Sequence, residues 1–127
     1  DRVTFSKFFA LLMASNWLTV AGLSGAAAVA LGAFGAHGLK AHITDEKLLK
    51  TWETAAHYHL LHSVALLAVP FSTSPKMVGV LWGGGIVLFS GSLYMLVLSG
   101  VRKLGAITPI GGLCLMAGWL AFALNHK

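Results

Sequence analysis

Four long stretches of the chain carry no Asp, Glu, Lys or Arg: residues 8–39, 54–75, 77–101 and 104–126. No other feature constrains the fold as much. A helix rising about 1.5 Å per residue needs about 20 mostly apolar residues to cross a hydrocarbon layer roughly 30 Å thick. The runs predict membrane-spanning helices over 17–36, 57–70, 77–98 and 105–124. Of the 127 residues, 57% are hydrophobic and 10% charged, against about 25% charged in soluble domains. So few charges leave a chain of this length without a polar coat, and its surplus apolar surface must face lipid or protein.

The second run is the least regular. Its strictly apolar part, 60–71, is too short to cross alone, but residues 45–59 read as an amphipathic helix that extends it. Thr44 is the expected N-cap. Asp45 and Glu46 then sit in the first turn, where negative charge suits the helix dipole, and Pro70 and Pro75 end the element. Residues 1–16 carry Phe5, Phe8, Phe9, Leu11, Leu12 and Met13 beside Arg2 and Lys7. That pattern suits an interfacial helix, with a processed targeting segment as the alternative. The expected fold is all-α and integral to the membrane. It is a four-transmembrane-helix bundle over 17–127, with a short N-terminal interfacial helix over 1–16 and an amphipathic extension of the second helix.

The formal charge is +5, yet the nine Lys and Arg punctuate the apolar runs and form no basic stripe. This argues for phospholipid head groups as partners and against nucleic acid. An even number of spans puts both termini on one side, with Arg2, Lys7, Lys76 and Lys127 opposed to Lys40, Lys47, Lys50, Arg102 and Lys103. The lone Cys114 lies in an apolar run and reads as a packing residue. Ala28, Gly32 and Ala36 are spaced by four, as are Gly79 and Gly83; Gly84 with Gly91, and Gly111 with Gly118, are spaced by seven. Such spacings read as seams where helix backbones approach closely, or as grooves for a flat ligand or lipid.

Chemistry has few carriers. None of the predicted spans holds Lys, Arg, Asp or Glu, the groups that mark proton relays and ion pathways at membrane depth. There is no G-x-S-x-G, no C-x-x-C and no phosphate loop. Neither an enzyme nor a bound cofactor is expected. His57, His59 and His62 resemble a metal run, but at about 100° per residue His57 and His59 diverge by about 200°. His57, four residues after Glu53, suits a surface pair. His59 shares a stripe with Trp52, Ser63 and Leu66, and His62 lies near its edge, so both face the bundle. They need partners there, and the first loop offers His37, Lys40 and His42. A structural network of His37, His59, His62 and Ser63 is the leading reading, followed by a proton or ligand site and then a metal site.

The segments Gly32-Ala33-Phe34-Gly35-Ala36-His37, Tyr58-His59-Leu60-Leu61-His62-Ser63, Phe89-Ser90-Gly91-Ser92-Leu93-Tyr94 and Thr108-Pro109-Ile110-Gly111-Gly112 occur in that order. Together they resemble the transmembrane protein 256 family, also called the domain of unknown function 423, over about residues 18–124. The resemblance implies a small four-span protein of bacteria or mitochondria with no established activity. It places His37, His59 and His62 at family motif positions, and residues 1–16 depart from the shorter bacterial pattern.

The expected role is a structural or accessory subunit of a larger membrane complex, in contact with other membrane proteins and phospholipids. The mitochondrial inner membrane, with its respiratory chain, is the favoured location, and the bacterial plasma membrane is the alternative. A carrier or binding protein for a lipid or quinone is the second reading.

Overall fold

The computed structural model describes residues 1–12 and 16–127 in full and the backbone alone at 13–15. Met13, counted above with the N-terminal apolar set, therefore has its side chain outside the described residues.

Four long helices follow in order: α1 (Arg2–Ala36), α2 (Glu46–Leu66), α3 (Pro75–Ser99) and α4 (Thr108–Leu124). Asp1 caps α1 by accepting from the Thr4 amide at 2.8 Å. The chain then stays helical for 35 residues, where a separate interfacial helix over 1–16 was expected. The reason is local: no proline or charge cluster interrupts 8–36, and the alanines and leucines favour helix.

Asp45 caps α2 one residue later than expected, accepting from the Lys47 amide at 2.9 Å, so Thr44 lies outside the helix. Glu46 occupies the first turn. The far end of α2 falls at Leu66, short of Pro70, because a proline offers no N–H to an i→i−4 ladder; a 3₁₀ turn over Val69–Phe71 takes its place. Pro75 opens α3 and Gly100, at φ 73°, closes it, with a π-helical turn over Val87–Gly91 in between.

Three of the helical segments are long and apolar enough to cross a membrane: Arg2–Ala41, Pro75–Ser99 and Arg102–Leu124. α2 is not among them, since charges fill its first turns and three histidines follow.

α2 packs against α1 on one side and α3 on another, and α4 packs against α3. Two cores result. One, around Ala21, Leu66, Val69, Val78, Trp82 and Leu115, lies toward the 67–74 loop; the other, around Leu39, Trp52, Ala55, Tyr94 and Val97, lies toward the 37–45 loop. The helices meet by seating tryptophans on glycines. A Cβ on Gly35 would collide with Trp52, one on Gly79 with Trp17, and one on Gly118 with Trp82. At Gly111 it would strike the backbone of Leu88 and Phe89, so α3 and α4 approach most closely there. The C-terminal residues fold back over the α2–α3 connection, where Ser72 pairs with His126 and the Thr73 amide donates to the Asn125 carbonyl at 2.5 Å.

Candidate functional site

α2 carries the polar groups that bind the helices to one another. Trp52 Nε1 donates to the Leu31 carbonyl of α1 at 2.8 Å. From α3, the Ser90 hydroxyl donates to the Ala55 carbonyl at 2.7 Å. From α4, Trp119 Nε1 donates to His62 Nε2 at 3.0 Å.

The densest knot surrounds buried His59. Its Nδ1 lies 3.0 Å from the Tyr94 hydroxyl and its Nε2 lies 3.1 Å from Ser24 Oγ. Ser24 Oγ is 2.6 Å from Ser63 Oγ, and Ser63 donates to the His59 carbonyl at 2.7 Å. Counting protons assigns every donor. Ser63 has spent its hydrogen on the carbonyl, so Ser24 donates to Ser63 and must accept from His59 Nε2–H, which leaves Nδ1 to accept from Tyr94. His62 is fixed in the other tautomer: Nδ1–H donates to the Tyr58 carbonyl at 2.8 Å while Nε2 accepts from Trp119.

This arrangement limits the chemistry. Both nitrogens of both imidazoles are engaged, so a metal or haem iron would have to displace a hydrogen bond already made. The chain from Tyr94 through His59, Ser24 and Ser63 ends on a backbone carbonyl, which holds a proton donor but passes no proton on. Among the described residues no three His, Cys, Asp or Glu side chains come together as a ligand set. What the knot does is fix the rotation and height of α1 and α3 against α2.

Of the residues singled out from sequence, His59, His62 and Ser63 are buried together on α2, and His59 and Ser63 share one knot. His37 is not with them. Its side chain is exposed at the end of α1, where its amide bonds the Ala33 and Phe34 carbonyls. The partners come from other helices and not from the first loop, because the two histidines lie about four turns into α2, away from that connection. His57 is exposed, with its ring edge against Tyr58.

Gly79, Gly111 and Gly118 lie at tight contacts, while a Cβ on Gly32 would meet Ala56 at an ordinary 3.9 Å and one on Gly83 would reach Trp17 at 4.0 Å. Ala28 is buried and Ala36 exposed, and with Gly32 they line an open groove of about 850 Å³ between α1 and α2. Gly84 faces open space and Gly91 meets only Val87 of its own helix, so neither lies at a seam.

Residues 31–112 match the family described as "Protein of unknown function (DUF423)". The chain belongs to that family. Its relatives include the UPF0382 membrane protein YwdK of Bacillus subtilis, 43% identical over 90% of this chain and 91% of its own length. A UPF0382 membrane protein of Schizosaccharomyces pombe is 44% identical over 79% of this chain and 92% of its own length. A third, from Staphylococcus haemolyticus, is 44% identical over 76% and 83%. No solved structure matches. The matched DUF423 region holds most of the network, His59, His62, Ser63, Ser90 and Tyr94, while Ser24 and Trp119 lie outside it. Ser24 and Trp119 were not among the residues singled out, and Ser90 and Tyr94 stood in a family segment without a role. The available signal was hydroxyl and indole donors inside uncharged runs, groups that seek partners across helices when water is absent.

Proposed function

We propose that the chain is a noncatalytic accessory subunit of a larger membrane assembly and that α2 is its fourth span. The observation that carries the first part is the uncovered N-terminal third of α1. A 35-residue helix is about 52 Å long, well beyond a core of roughly 30 Å. Its Phe5, Phe8, Phe9 and Leu12 are exposed within a sector of about 100°, a surface suited to an apolar helix of a neighbouring subunit. Blue-native electrophoresis of mildly solubilised native membranes tests this. Co-migration with a larger species is expected, with release by Phe5→Asp combined with Phe9→Asp. A wild type that runs as a single chain overturns the reading.

Two observations support a fourth span. The 21 residues of α2 reach about 31 Å, and its Trp52, His59, His62 and Ser63 turn toward the other helices while Leu60, Leu61 and Val64 face outward. Ser6 and Ala10 of α1 share a groove with Lys127, which suits two termini at one end of the bundle and an even number of crossings. Tags at Asp1 and Lys127 should be protected from the same side; protection from opposite sides removes the four-span reading. The proposed location is the mitochondrial inner membrane, a membrane of bacterial descent that suits a family with bacterial and yeast members, and fractionation tests it.

A second reading, a small lipid- or quinone-binding protein, is favoured by the open groove between α1 and α2. Its wall of Ala28, Gly32 and Ala56 is apolar and its rim polar.

A further inference from the structure

The bundle has a second groove, of about 1070 Å³, where the first turns of α1 lie beside the start of α3 and the C-terminal residues. Its walls are apolar: Phe9, Met77, Val80 and Leu81 line it, and the first three are exposed. Its charged lining side chains are those of Lys76 and Lys127, both cationic. Lys127 Nζ donates to the Pro70 carbonyl at 3.3 Å, which holds its ammonium at the mouth. Of the chain's four acids, Asp1 is occupied in capping α1, and Asp45, Glu46 and Glu53 lie on and before the first turns of α2, toward the opposite end. Among the described residues neither lysine has an acidic partner.

The start of α3 adds to the same field. Ser74 makes no side-chain cap and Pro75 brings no N–H, so the amides of Lys76 and Met77 stand open at the positive end of an apolar helix that runs to Ser99. Lys76 is the second residue of a membrane-crossing segment, which sets it at head-group level. The groove between α1 and α2 provides an internal contrast. Its rim mixes Lys40 and Lys50 with Glu46 and Glu53, so it offers no net attraction for an anion.

We propose that the α1–α3 groove binds a phospholipid of net negative charge. The phosphate diester sits between Lys76, Lys127 and the open amides of α3, and an acyl chain lies along Met77, Val80 and Leu81. Anionic lipid near a basic cluster gains about fivefold in affinity per lysine, and a helix N-terminus is a ready acceptor for phosphate. The inference needs only the membrane-embedded fold and not membership of an assembly, so it is read on the isolated chain and its failure is separate from that of the subunit reading.

The test uses the full chain, delipidated in detergent and loaded with either phosphatidylglycerol or phosphatidylcholine, with bound lipid counted by native mass spectrometry. Phosphatidylglycerol should be retained at least tenfold better. Lys76→Gln with Lys127→Gln should bring it to the phosphatidylcholine level, whereas Lys50→Gln should leave it unchanged. Equal retention of the two lipids, or a preference indifferent to the Lys76 and Lys127 pair, overturns the site. Should the double variant lose helicity by circular dichroism, a photoactivatable phosphatidylglycerol on the wild type decides instead. Labelling within 6–10 and 76–81 supports the groove, and labelling confined to the α1–α2 groove refutes it.

Discussion

The two ends of α1 are both apolar, yet they behave differently. From Ala21 to Gly35 the helix is seated on α2, through Ser24 on His59 and Ser63, the Leu31 carbonyl on Trp52, and Gly35 beneath the Trp52 ring. From Val3 to Leu12 it presents Phe5 at 69% and Leu11 at 70% exposure. The more bulky and apolar end is the less covered one. Where lipid is as apolar as leucine, hydrophobicity gives helices no reason to associate; close backbone approach and shared hydrogen bonds do. Glycine and serine therefore mark the buried end, and phenylalanine marks the free one.

The largest difference is expected from one substitution made at two places on α1. Gly35→Leu drives a side chain into Trp52, and overpacking of this kind costs about 1–3 kcal/mol or more. Gly22 has nothing within 4 Å, so Gly22→Leu should leave the thermal midpoint in detergent unchanged. Equal midpoints for the two variants would remove the distinction between seated and free faces.

Next come the polar contacts of the seated end. His59→Ala strands Ser24 and Tyr94 and should destabilise by about 1–3 kcal/mol, with His62→Ala similar because it strands Trp119. Ser24→Ala and His59→Ala should be clearly non-additive in a double-mutant cycle, since they share one bond. Additive losses would dissolve the knot into independent contacts. The exposed His57→Ala should stay within about 0.5 kcal/mol.

The smallest effect belongs to the free end. Phe5→Ala and Phe9→Ala, both at exposed sites, should shift the isolated chain's stability by no more than about 0.5 kcal/mol. A larger loss would show that the first turns of α1 belong to the fold and not to a partner.

The elements were legible where charge and proline punctuate the chain. Lys76 and Pro75 separate the second run from the third, Arg102 and Lys103 separate the third from the fourth, and the helices fall between those marks. His59, His62 and Ser63 were legible as an inward face of α2 from helical phase alone. Their partners were not, because phase describes one helix at a time and Ser24, Tyr94 and Trp119 arrive from three others. The glycine contacts were half legible for the same reason. Gly35 and Gly85 lie at tight contacts, yet neither belongs to the spaced sets, and what selects them is the Trp52 or Leu115 side chain opposite. The continuous α1 was missed because a change in composition near residue 16 marks a change of surroundings and not a break in the backbone.

The π-helical turn in α3 bears on sequence length. Val78, Trp82, Ile86, Ser90 and Tyr94 are all buried and follow one another in strict steps of four. On a regular helix each such step drifts by about 40°, which would leave Tyr94 about 160° from Val78. The wider turn over Val87–Gly91 absorbs one surplus residue, about 100° of that drift. It also lies across the interval from Gly84 to Gly91, so their spacing by seven does not give them a common face, as it does for Gly111 and Gly118 on uninterrupted α4. Deleting a single residue between Val87 and Gly91 would let α3 relax into an ordinary helix with one step fewer between Val78 and Tyr94, and the Tyr94 hydroxyl would still face His59. α3 thus carries one residue in reserve, and a loss at this turn would be felt as a shortening and not as a rotation.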